Sequence, residues 1–134
     1  MKKVLRICIL LFVGLSLNLT VQAQTKVEWP ERTAFHSVMS TTFHPAEDGN
    51  LEPIKKRSGE MVQKAKEWKE STPPKEFDKP VIKKKLKQLY KESKALDKMI
   101  QKKASDAKIK AALTKLHDRF HEIAEACNHS QKGH

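Results

Sequence analysis

The stretch from Asp106 to Cys127 reads DAKIKAALTKLHDRFHEIAEAC, and its apolar residues Ile109, Leu113, Leu116, Phe120, Ile123 and Cys127 recur at alternating steps of four and three. That spacing tracks the helical repeat, so it draws a single apolar stripe along one face of an amphipathic helix. Ser105 or Asp106 stands where an N-cap is needed. Two earlier stretches keep the same rhythm. Ile54, Ser58, Met61, Ala65 and Trp68 form a stripe over about residues 51–71, interrupted only by the small Ser58. Ile82, Leu86, Leu89, Ser93, Leu96 and Ile100 form another over about residues 79–103. A shorter first segment runs from about Glu31 to His44 and is expected to stop at Pro45, whose ring disfavours continued helix.

The connections are short and contain the expected breakers. Residues 46–50 read as a turn in which Asn50 caps the second helix. Thr72-Pro73-Pro74 ends that helix, and Asp78 is placed to cap the third. Few glycines, little β-branching and long Lys/Glu/Ala/Leu stretches mark an all-α protein. The fold expected is an antiparallel up-and-down four-helix bundle over residues 31–128, with an extended segment at 24–30 and a frayed tail at 129–134.

The first 23 residues read as a cleaved signal peptide. Lys2, Lys3 and Arg6 form a basic start, Ile7–Thr20 an apolar run, and Val21-Gln22-Ala23 a small-residue cleavage site. The apolar run is too short, and too broken by Gly14, Ser16 and Asn18, to span a membrane. Cleavage leaves 111 residues and removes Cys8, so Cys127 stands alone and cannot staple the domain. A periplasmic or secreted location follows from this reading, with stability resting on apolar packing. Cys127 itself can be a ligand, an intermolecular disulfide partner or a buried small hydrophobe; its place on the stripe favours the last.

The mature chain carries 24 Lys+Arg against 16 Asp+Glu, a net +8. The segment 79–103 alone holds ten lysines against Glu92 and Asp97, also +8, so the basicity belongs to one element. Lys84, Lys87, Lys91, Lys94 and Lys98 fall on its outer side, a row that is either a solvated face or a dock for an acidic partner. Nucleic acid is not the expected partner, because arginine is scarce and aromatics are not interleaved with the lysines.

All six histidines lie in the first or last segments, and none falls between Leu51 and Lys103. In an up-and-down bundle those two helices are neighbours, so the rings gather on one seam. His36, Met39 and Phe43 share a face of the first helix, and His117 and His121 form an i, i+4 pair on the last. At ~1.5 Å per residue, His36 and His117 lie at matching depths to within about a turn. Imidazole is the commonest metal ligand, and a thioether such as Met39 beside it suits copper(I) or haem iron. Candidate ligands are therefore His36, Met39, His117 and His121, with His44 nearer the rim and Cys127 toward the opposite end. His117-Asp118-Arg119-Phe120-His121 superficially matches the zinc-protease motif H-E-x-x-H, but the shorter Asp118 replaces the glutamate base, and no enzyme is expected. There is no Cys-x-x-Cys-His for covalent haem attachment.

From about Met61 to Ile123 the chain resembles the periplasmic four-helix-bundle b-type cytochrome and the c-prime cytochromes. The resemblance rests on Thr72-Pro73-Pro74-Lys75 with Asp78, on Leu96-Asp97-Lys98 and residues 108–113, and on Phe120-His121. It implies haem b held by His121 with His36 or Met39 as the second axial ligand and electron transfer as the function; related bundles pair through helix faces, so it also allows a dimer without requiring one. The chain departs from the pattern at Leu86 and Leu89, where the family walls its haem with phenylalanines, and at His117, an additional imidazole. Both departures suit a bare copper, zinc or nickel ion, and metal storage, sensing or delivery. The contrasting expectation is a metal-free interaction module that docks an acidic partner through its third helix.

Overall fold

A computed structural model describes residues 26–132. The signal segment expected at 1–23 and the last two residues of the tail lie outside the described residues. Four helices make up the fold: α1 (Pro30–Glu47), α2 (Glu52–Glu70), α3 (Pro80–Gln101) and α4 (Asp106–Lys132), with a single 3-10 turn, Lys75–Phe77, between α2 and α3. There is no strand among the described residues, and no helix there is long and apolar enough to cross a membrane.

The three periodic stripes are the buried faces of α2, α3 and α4, except that Ile100 is half-buried at the edge. α1 adds Phe35, Val38, Met39, Thr42, Phe43 and Ala46. Each helix packs on the next, and α4 also meets α1, though α1 and α4 make the sparsest of these contacts. The bundle is thus least tightly closed along the α1–α4 seam.

Ties at the helix ends set the order. The Trp29 indole at the start of α1 donates to Ser71 Oγ, at 2.9 Å, where α2 ends. Ser58 Oγ donates to Asp97 Oδ1 at 2.7 Å, joining early α2 to late α3. Arg119 meets the nearly buried Glu92 with Nε 3.2 Å from Oε2 and Nη2 3.3 Å from Oε1, joining α4 to α3. Burial alone would raise the Glu92 carboxyl, but hydrogen bonds from Arg119 and Gln88 and the charges of Arg119 and Lys115 hold it below its usual range.

α1 runs one turn beyond its expected stop, through Pro45. The missing proline N–H forfeits one backbone bond, and the helix end is closed instead by a Schellman arrangement. Asn50 N–H donates to the Pro45 carbonyl at 2.9 Å and Gly49 N–H to the Ala46 carbonyl at 3.1 Å. Gly49 takes φ +86°, which glycine adopts without strain. Leu51, not Asn50, takes the N-cap position of α2; Asn50 stands one residue earlier, where its Oδ1 accepts from Glu52 N–H at 3.1 Å, and Ser105 accepts from Lys108 N–H at 3.4 Å at the start of α4. Asp78 does not cap α3. The 3-10 turn shifts that boundary, and its carboxylate pairs with Lys83 instead.

The α3–α4 corner repeats the Schellman pattern, with Lys103 N–H to Ile100 carbonyl and Ala104 N–H to Met99 carbonyl, both at 2.9 Å. Here Lys103 occupies the left-handed position at φ 54°, where a side chain costs about 1 kcal/mol or more. Lys103→Gly is therefore expected to raise stability by about 1 kcal/mol, read as a higher urea midpoint with an unchanged slope.

The widest part of the core is an aromatic cluster. The Trp68 ring lies 5.6 Å from Trp29, 5.7 Å from Phe35 and 6.0 Å from Phe120, centroid to centroid. Phe77, carried in by the 3-10 turn, stacks on Trp29 at 5.9 Å. Residue 29 was expected in a loose extended segment; the backbone there is extended, but its side chain is almost fully buried. α4 continues to Lys132, so most of the expected frayed tail is helical.

Candidate metal centre on the open seam

The sparse α1–α4 seam is filled by flat rings that pair across it. His36 of α1 stacks on Phe120 of α4, with centroids 4.9 Å apart and planes 14° from parallel. His117 of α4 stacks on Phe43 of α1, at 3.8 Å and 8°. Each imidazole thus rests on a phenyl ring from the opposite helix, and both phenyl rings lie at the edge of the core. The helical repeat delivers this arrangement, since Phe43 is two turns beyond His36 and Phe120 about one turn beyond His117.

His121 lies beside His117 and edge-on to Phe120, whose ring centroid is 5.6 Å away. Its Nε2 is 3.1 Å from Nε2 of His117, and the ring centroids are 4.4 Å apart. Two nitrogens bound at about 2.0–2.1 Å to one ion subtend about 100° when separated by that distance, between square and tetrahedral geometry. Without an ion, one imidazole donates an N–H to the other. His117 Nδ1 stands 3.7 Å from Asp118 Oδ1, within range of its charge but too far for a hydrogen bond. At the rim, His44 Nδ1 is hydrogen-bonded to Glu47 Oε2 at 3.0 Å, which orients that ring and leaves its Nε2 free.

Burial pushes the His36 imidazole below its ordinary pKa, helped by the charges of His121, Arg32 and His44. Burial likewise depresses His117, with His121 adding to the shift, while Asp118 and Glu47 oppose it. Both rings are therefore neutral at pH 7, the form that binds metal. A depressed imidazole pKa means that the unfolded chain binds more protons than the folded one once pH drops below about 6.5. Stability is expected to fall on acidification from about pH 7 to about pH 5, and the His36→Gln/His117→Gln double variant should flatten that slope in thermal melts. An unchanged slope in that variant would contradict the assignment.

The sequence-derived candidates separate into two groups. His117 and His121 are brought into contact, His36 stands apart on α1 against Phe120, and His44 sits on the rim with its side chain 69% exposed. Met39 is fully buried in the core. Cys127 is also buried, and desolvation pushes its thiol up despite the Arg32 guanidinium beside it. His36 stacks on Phe120, three residues along α4 from His117, and His117 on Phe43, seven residues along α1 from His36, so the two imidazoles are offset by about one to two turns where a match to within about one was expected. Sequence reasoning did not single out Glu47 or Arg32. Their signal was spacing alone, three residues after His44 and four before His36. Among the described residues no three His, Cys, Asp or Glu side chains are placed so that together they could hold a metal ion. The exposed His36 ring would have to turn toward the His117–His121 pair to make a third ligand.

In comparisons with known proteins, no family model, curated protein or solved structure matches the chain.

Proposed function

We propose that this chain is an exported, non-enzymatic helical bundle that binds one transition-metal ion at the α1–α4 seam and serves in metal storage, sensing or delivery. On this reading His117 and His121 hold the ion, a turn of the His36 ring would add a third ligand, and His44, paired with Glu47 on the rim, is the outlying candidate. The observation that carries this reading is the 3.1 Å approach of the two Nε2 atoms, beside a third imidazole whose pKa responds to His121. An all-imidazole donor set suits copper, zinc or nickel. The basic, apolar and small-residue succession in residues 1–23 supports export with signal cleavage. The end-to-end ties of Trp29 with Ser71, Ser58 with Asp97 and Lys55 with Asp106 support an antiparallel up-and-down order.

Haem b, which the cytochrome resemblance implies, fits these residues less well. The interior between the helices is occupied by the mutually packed rings of Phe35, Trp68 and Phe120, and Met39 is enclosed in that core while His121 faces outward. A porphyrin would displace packing that the fold depends on.

The purified mature protein should be subjected to elemental analysis and visible spectroscopy before and after exposure to copper, zinc and nickel. Stoichiometric metal without a Soret band is the expected result. A Soret band, or a protein that refuses all three ions, would overturn the reading.

One observation favours a second activity on another face. Lys84, Lys87, Lys91, Lys94 and Lys98 are all exposed, whereas the ion-paired lysines among the described residues are Lys55, Lys64, Lys69, Lys83, Lys85 and Lys115. Lys94 contacts only the Tyr90 ring face, at 4.6 Å. On this reading the α3 row docks an acidic protein. Binding to an immobilised acidic polypeptide should weaken steeply with salt, survive a chelator and vanish when the five lysines become glutamines. Salt-independent binding would exclude the row as the dock.

A further inference from the structure

From His36 and His121 a groove of about 460 Å³ runs along the seam past Arg32 on α1 and past Ala124 and Asn128 on α4. Arg32 and His36 are i, i+4 neighbours, as His121, Ala124 and Asn128 follow one another along a single face of α4. The small Ala124 side chain leaves the space open between the imidazoles and the guanidinium. Lys26 adds a second positive charge and Glu28 one negative charge, so the lining is net basic.

Arg32 has no carboxylate partner among the described residues. The arginine ion pairs there belong to Arg57 and Arg119, while the Arg32 guanidinium lies over the Phe77 ring, 6.0 Å from its centroid, and beside the Cys127 thiol. A half-buried guanidinium without a counter-ion is costly to keep, and its forked donors match a carboxylate. Imidazole nitrogens bind a metal without adding charge, so a divalent ion held by them keeps its full charge. The adjacent His117–His121 pair, with or without His36, leaves coordination positions free.

We infer that the groove holds a small organic carboxylate, one oxygen completing the coordination of the ion and the other end bound by Arg32. This rests on the metal reading above. The ligand is an exogenous anion rather than a further protein side chain, since the groove offers Glu28 alone as a competing acid. The site would therefore take up a metal–carboxylate pair, and the form of metal it exchanges is a carboxylate complex and not the bare aquo ion.

The test uses the mature chain loaded with copper(II) and titrated with malonate at constant ionic strength, with the copper visible band and EPR spectrum as readouts. A saturable spectral shift is expected with malonate and none with chloride. Arg32→Gln should weaken malonate binding about tenfold without lowering copper affinity, and Ala124→Leu should do the same by filling the groove. Absence of a saturable shift, or malonate binding as tight in both variants as in the parent, would overturn the inference while leaving the metal site standing. Phosphate binding more tightly than malonate would overturn the carboxylate assignment. Failure of copper to bind at all would instead sink the metal reading, and this inference with it.

Discussion

His121→Ala is expected to lower metal affinity at least about a hundredfold while leaving the helical fold intact. Loss of a partner outside the coordination shell commonly costs about ten- to a hundredfold, and on the proposed reading His121 is itself a ligand. Its Nε2 is the atom that approaches His117 at 3.1 Å, and its charge reaches His36. Removing it leaves no two ring nitrogens adjacent. The side chain is exposed and outside the apolar core, so thermal stability without metal should change little. Isothermal titration of copper(II) or zinc into the parent and the variant measures the effect. His117→Ala should behave alike, Met39→Leu should be neutral because Met39 is enclosed in the core, and His129→Ala serves as an exposed control. Unaltered affinity in His121→Ala would show the ligand assignment to be wrong.

Trp68→Ala carries the largest expected effect on stability. Trp68 is fully buried and lies against the rings of Trp29, Phe35 and Phe120, so truncation removes the centre of the aromatic cluster. Large aromatic truncations of this kind cost about 3–5 kcal/mol. A domain of this size has a total stability of about 5–15 kcal/mol, so the variant should be poorly folded or melt far below the parent. Trp68→Phe should be much milder. The indole Nε1 is buried without a hydrogen-bond partner, and an orphaned donor of that kind costs about 1–3 kcal/mol. Removing it offsets part of the lost volume. Urea denaturation of the pair measures the contrast; an Ala variant as stable as the Phe variant would contradict this account of the core.

The regular faces of α2, α3 and α4 were legible in the sequence because their burial is a local, periodic property of the chain. Ile54 to Trp68 and Ile109 to Cys127 are buried as their spacing predicts. Trp29 and Phe77 were not legible. One precedes a helix and the other sits in a 3-10 turn, so their burial depends on which elements meet there. Pro45 misled for a related reason, since the closure supplied by Gly49 and Asn50 compensates for a bond the ring removes. The segregation of histidines to the first and last segments anticipated that imidazoles of α1 and α4 would share one seam, and the contacts of His36 and His117 across it agree. The reciprocal stacking of His36 on Phe120 and His117 on Phe43 depends on the register between α1 and α4, which residue counting fixes only to about a turn. Met39 shares a face with His36 by spacing, but three residues is not a full turn, and the difference carries its thioether to the core side.

The most direct test is the nitrogen NMR spectrum of the histidine side chains during a zinc titration. Zinc at a shared site should shift Nε2 of His117, His121 and His36 together, with all three saturating at one ion per chain and His129 unaffected. Independent shifts that fail to saturate together, or none at His117 and His121, would mean that these rings do not hold a common ion.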